Sequence, residues 1–117
     1  MRRTNSRRAH RLEDIIMQEL GHILLEEVKD PRLELVTISG VRLNKDLSVA
    51  EVLYTHSSDT EKKAETQKAL DSASGFLRSQ LGQRLRLKYI PELRFYWDKY
   101  LEDMVYEIPS ARNTDGD

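Results

Sequence analysis

The sequence has no cysteine, one tryptophan and two phenylalanines, and its apolar runs are short. Each scarcity excludes something. Without cysteine there is no disulfide framework, no thiol nucleophile and no cysteine-based zinc site. No apolar stretch approaches the roughly 18 residues needed to cross a bilayer. The start, Met1-Arg2-Arg3-Thr4-Asn5-Ser6, lacks the apolar core of a secretory signal, so a cytoplasmic chain without membrane attachment is expected. The three histidines, His10, His22 and His56, show no metal-ligand spacing, and neither a P-loop nor a GxGxxG pattern is present. These gaps argue against an enzyme and against a bound metal or cofactor.

What is present is charge, unevenly placed. The 117 residues carry 19 Lys and Arg against 20 Asp and Glu, a net charge of −1. Yet residues 1–11 hold Arg2, Arg3, Arg7, Arg8, Arg11 and His10 with no acid, and residues 76–90 hold Arg78, Arg84, Arg86 and Lys88, again with none. Two acid-free runs in a small chain point to an anionic partner, because such patches attract phosphate. The first run reads as a basic arm over residues 1–8 that orders on binding. In the second, Arg84-Leu85-Arg86-Leu87-Lys88 would, if extended, set three cations opposite two leucines and form a phosphate-facing ribbon. Arg3, Arg7, Arg8, Arg11, Arg78, Arg84, Arg86 and Lys88 are therefore the candidate RNA-binding residues. Tyr96, beside Arg94, is a candidate for base stacking.

Periodicity supplies the scaffold. Leu12, Ile15, Ile16, Leu20, Ile23, Leu24 and Val28 keep helical spacing over residues 6–28, and Asp30-Pro31 should end that helix. Val36 and Ile38 share one strand parity, whereas Val41 and Leu43 have the other, so a bulge is expected at Gly40. The turn cluster Asn44-Lys45-Asp46 and a strand over 48–56 complete a hairpin. Ala69, Leu70, Ala73, Phe76, Leu77, Leu81 and Leu85 are again helical, with Ser74-Gly75 either inside one weakened helix or at a corner between two. The last strand spans 92–98, with Leu93, Phe95 and Trp97 toward the core. Residues 101–108 suit a short helix. The domain is expected to cover residues 1–108, with 109–117 a disordered tail. The order α-β-β-α-α-β predicts an α+β fold, a three-stranded sheet with helices packed on one face.

Five segments taken together, Asp30-Pro31-Arg32, Val36-Thr37-Ile38-Ser39-Gly40-Val41, Asp46-Leu47-Ser48-Val49-Ala50, residues 69–78 and Pro91-Glu92-Leu93-Arg94-Phe95, resemble the bacterial ribosome-binding factor A family over about residues 4 to 103. The resemblance implies a KH-like domain of the type II order. It also implies a non-catalytic assembly factor of the small (30S) ribosomal subunit. Such a factor would act on 16S rRNA late in maturation and in 5′-end processing, with importance in the cold. The implied partners are 16S rRNA, ribosomal proteins and an assembly GTPase, for a protein that is itself a monomer.

KH domains clamp RNA with a Gly-x-x-Gly loop. The family instead carries Ala-x-Gly, here Ala73-Ser74-Gly75, which implies an interhelical kink. Tyr100 and the break at Pro109 depart from the family pattern, so no contact of its C-terminus is carried over. The alternative reading is a protein-interaction module that binds an acidic protein without touching RNA.

Overall fold

The computed structural model describes residues 6–56 and 63–100. The chain begins with helix α1, Arg7–Glu26, where Ser6 sits extended at the N-cap and its side chain accepts from the Ala9 amide at 3.3 Å. Ala9, Ile16, Leu20, Ile23 and Leu24 form its buried stripe. The helix stops at Glu26, four residues before Asp30-Pro31, and a 3₁₀ turn at Pro31–Leu33 follows. Asp30 caps that turn by accepting from the Arg32 amide at 3.0 Å. The Arg32 side chain and amide hold the Asp30 carboxyl below the usual carboxylate range.

Strands β1 (Val36–Leu43) and β2 (Val49–His56) form the expected antiparallel hairpin. Their register shifts between Ile38 and Gly40, which leaves Ser39 as the extra residue. The bulge predicted from the parity change is there, and it brings Ile38, Val41 and Leu43 into the core together. At the hairpin tip the Asn44 side-chain carbonyl accepts from the Val49 amide at 2.9 Å, and Leu47 takes a left-handed φ of 63°.

Helix α2, Lys63–Leu85, carries the chain back so that β3 (Glu92–Trp97) lies parallel to β2, giving the strand order β1-β2-β3. Ala50, Val52, Tyr54, Leu93 and Phe95 join the hairpin's apolar residues against both helices, in one core with Leu20, Ile23, Leu70, Leu77 and Leu81. Arg42, Glu51 and Arg94 stand in register across the opposite face, which no helix covers among the described residues. Tyr54 spans the core, and its hydroxyl donates to Gln67 Oε1 at 2.6 Å. Burial pushes that hydroxyl up to about 12, so it remains a neutral donor.

Three expectations need correction. One helix stands where two were expected, so the order among the described residues is α-β-β-α-β with a 3₁₀ turn. Ala73, Ser74 and Gly75 lie within α2, no described glycine has a positive φ, and a Cβ placed on Gly75 would meet nothing within 4 Å. Ser74 Oγ donates to the Asp71 carbonyl at 2.9 Å, a back-bond that lets a Ser-Gly pair bend a helix without ending it. At Gly82, by contrast, a Cβ would collide with the Ile90 side chain, which would have to shift. Phe76, assigned to the apolar stripe, is 45% exposed.

Trp97 lies at the margin of the core rather than within it. Its ring meets Tyr54 edge-on at 5.6 Å and receives Lys63 Nζ at 4.7 Å. The proposed helix over 101–108 and the tail over 109–117 lie outside the described residues.

Glu13 is a buried charged residue that the apolar pattern does not announce. It occupies a stripe position between Ala9 and Ile16, and its carboxylate accepts from the Leu43 amide at 2.8 Å and meets His10 Nδ1 at 2.9 Å. A buried carboxylate is tolerated only with such partners. Replacing Glu13 with Ala should lower unfolding free energy by about 1.5–3 kcal/mol, since a buried amide is deprived of a charged acceptor. Urea titration would read this, and an unchanged midpoint would show that the bond carries nothing. Gly75→Ala should raise stability by up to about 1 kcal/mol, as in an open helix interior. A lower melting temperature would restore the corner that needs glycine.

Candidate nucleic-acid interface

Arg7, Arg8 and Arg11 project from the first two turns of α1 and are exposed. No carboxylate among the described residues pairs with them. The first turn contains no acidic residue, although a helix N-terminus favours negative charge. Three arginines placed there work against the helix dipole and leave the whole end positive. Arg3 lies outside the described residues.

The second set behaves differently. Arg84 and Leu85 belong to the last turn of α2, and Arg86 follows with a left-handed φ of 53°, its amide closing on the Gly82 carbonyl at 2.9 Å. The extended ribbon therefore does not form. Helical spacing through Leu81 and Leu85 keeps the backbone wound, and the left-handed residue then turns it toward β3. Arg84 is drawn into structure: its guanidinium reaches Glu19 at 3.2 Å, Glu26 at 3.6 Å and Glu27 at 3.8 Å. Arg78 donates to the carbonyls of Ile90 at 2.8 Å and Pro91 at 3.2 Å, which ties the loop down before β3. Arg86 and Lys88 are exposed, with Lys88 Nζ 5.5 Å from the Tyr89 ring centre.

The candidates thus separate into two groups. The bond from Glu13 to Leu43 fixes the first turns of α1 beside the end of β1. The ion pairs of Arg84 fix the end of α2 against the C-terminal half of α1. Arg11 and Glu26 are about 22 Å apart along the helix axis at ~1.5 Å per residue. Sequence reasoning missed Arg42 and Lys45, exposed on β1 and its turn near the bond from Glu13. Their signal was weak because Asp46 and Glu51 lie close by in the chain. Tyr96, 44% exposed, stands with Arg94 on the open sheet face, but Arg94 is paired to Glu92 at 2.6 Å.

Among the described residues no three His, Cys, Asp or Glu side chains are grouped to hold a metal, and no helix is long and apolar enough to cross a membrane. The fold is a small α+β domain with a positively charged helix end. Comparison with known proteins gives it a family. The model described as Ribosome-binding factor A matches residues 8–107. A protein of that name from Marinomonas sp. is 46% identical over 95 residues, covering 79% of this chain and 74% of the relative. One from Syntrophus aciditrophicus is 32% identical over 119 residues, covering 97% of each.

Among solved structures, the crystal structure of ribosome-binding factor A from Thermus thermophilus aligns with a TM-score of 0.65 at 32% identity, over 74% of this chain and 91% of that one. A Thermus thermophilus homology model fitted into a cryo-EM map of a complex with the 30S subunit aligns at 0.63 with the same identity and coverage. The chain belongs to the ribosome-binding factor A family, whose members are ribosome-binding factors and not enzymes.

The two fates of neighbouring arginines can be separated by stability alone. Arg84→Gln should cost about 1 kcal/mol, the scale of a partly exposed ion-pair network. Arg86→Gly should gain about 1 kcal/mol by relieving the left-handed backbone. Denaturant titrations that returned the opposite order would contradict both assignments.

Proposed function

We propose that this protein binds the small (30S) ribosomal subunit through 16S rRNA and neighbouring ribosomal proteins. It would promote late maturation and 5′-end processing of that rRNA, act in the cytoplasm as a monomer, and matter most in the cold. An assembly GTPase is the releasing partner in this reading. Residues 1–108 act as one RNA-binding domain, in which Arg7 and Arg8 of the basic run are held in the first turn of α1.

The observation that carries the reading is the arginine cluster Arg7, Arg8 and Arg11 at the positive end of α1, exposed and unmatched by described carboxylates. The 30S complex of the Thermus thermophilus relative supports the same target. Arg86 adds to it: an exposed arginine at a left-handed backbone position points from strain to use. Arg78 and Arg84 contribute less, because their guanidinium groups already hold the protein together. The surface does not favour an acidic protein over RNA as the ligand, and family membership favours the ribosome.

Replacing Arg7, Arg8 and Arg11 together with Glu should weaken co-sedimentation with purified small subunits. It should also flatten the logarithmic salt dependence by roughly 0.7–0.9 for each phosphate no longer neutralised. The variant should stay folded, because glutamates at a helix start follow the dipole. A folded variant with unchanged affinity and slope would show that these arginines are merely solvated.

A further inference from the structure

The opposite end of α1 carries a different surface. Two clefts of about 230 and 220 Å³ lie where α1, the 3₁₀ turn, β1 and α2 meet, and Glu34 lines both. Leu25, at the mouth of one, is 81% exposed, and Leu35, on the other, is 47% exposed. Thr66 is fully buried in the larger cleft's wall, and its hydroxyl has no hydrogen-bond partner among the described residues. A buried hydroxyl of that kind is an open position for a polar ligand group.

Charge decides which ligand. Arg32 borders the larger cleft, but its guanidinium is fastened to the Asp30 carboxylate by two bonds of 3.1 and 2.7 Å and also feels Glu65. With Arg32 neutralised by Asp30, the carboxylates of Glu34 and Glu65 are left to set the charge of a lining that otherwise holds the imidazole of His56. That excess repels phosphate and attracts cationic side chains. Leu25 and Leu35 provide the apolar surface that a bare cation would not use. The cleft also lies beside the start of β1, an edge strand that can accept an extended segment.

We propose that the two clefts, joined at Glu34, together dock an extended segment of a ribosomal protein, bearing lysine or arginine with interspersed apolar residues. Its apolar side chains rest against Leu25 and Leu35, its cations face Glu34 and Glu65, and one polar group bonds Thr66. The inference rests on the proposed binding to the small subunit and adds a protein interface of defined chemistry at the far end of the helix from the arginines.

The test uses the full chain on purified small subunits, with p-azidophenylalanine replacing Leu25 or Leu35 and retention followed by co-sedimentation. Both positions should cross-link to a basic, apolar-bearing segment of a ribosomal protein, mapped by mass spectrometry. Leu25→Asp combined with Glu34→Lys should lower affinity at least tenfold in a protein whose melt is unchanged. Retention with cross-links only to rRNA, only to a second copy of the chain, or to nothing would overturn the docking proposal while leaving ribosome binding intact. Unchanged affinity of the folded double variant would overturn it as well. Failure of the unmodified protein to co-sediment would remove the functional reading, and this inference with it.

Discussion

A carboxylate buried between a helix and an edge strand must be matched by donors, and Glu13 is matched by the Leu43 amide and His10. Much depends on this bonding. It closes an outward-facing backbone donor of β1 and fixes how α1 lies along the sheet. Because Arg7, Arg8 and Arg11 ride on the same two turns, it also fixes where the positive end of the molecule stands. A helix held only by its apolar stripe could slide or roll by a few ångströms. One held by a directional bond to the backbone cannot do so without leaving a buried charge unmatched.

The second constraint is the Arg84 network at the other end of α1. It joins the two helices through Glu19, Glu26 and Glu27 and so neutralises the Arg84 cation at the last turn of α2. The molecule is left with an arginine-rich end and an acidic, leucine-bearing end along one rigid helix. That polarity matches the two surfaces proposed above, one for nucleic acid and one for protein.

Much of the scaffold was legible because periodicity reports local geometry. The parity change across Gly40 located the bulge, and the spacing from Ile16 to Leu24 located the helix face. What escaped depends on partners distant in the chain. Glu13 looks like a polar interruption of an apolar stripe, and its acceptor role is defined by Leu43, 30 residues later. Arg84 reads as a free cation until Glu19, 65 residues earlier, is brought beside it. The alternation in Arg84-Leu85-Arg86-Leu87-Lys88 fits a strand as well as a helix end, and only the packing of Leu81 and Leu85 selects the helix. The interface was therefore legible in composition but not in arrangement. Charge runs mark which residues are cationic, whereas the fold decides which cations remain available.

The parallel pairing of β2 with β3 bears on how the domain is made. Antiparallel β1 and β2 are joined by a tight turn and can meet as soon as both exist. The third strand must wait for the whole of α2, from Lys63 to Leu85, to be synthesised and laid across the sheet. Leu93 and Phe95 then close a core that has until that moment one side exposed. Closure over so long a loop is entropically slow, and the intermediate presents unpaired β2 edge and apolar surface to its surroundings. A nascent chain of this protein is thus a hairpin and two helices awaiting their last strand. Its most vulnerable interval is the one between the emergence of α2 and the docking of Phe95.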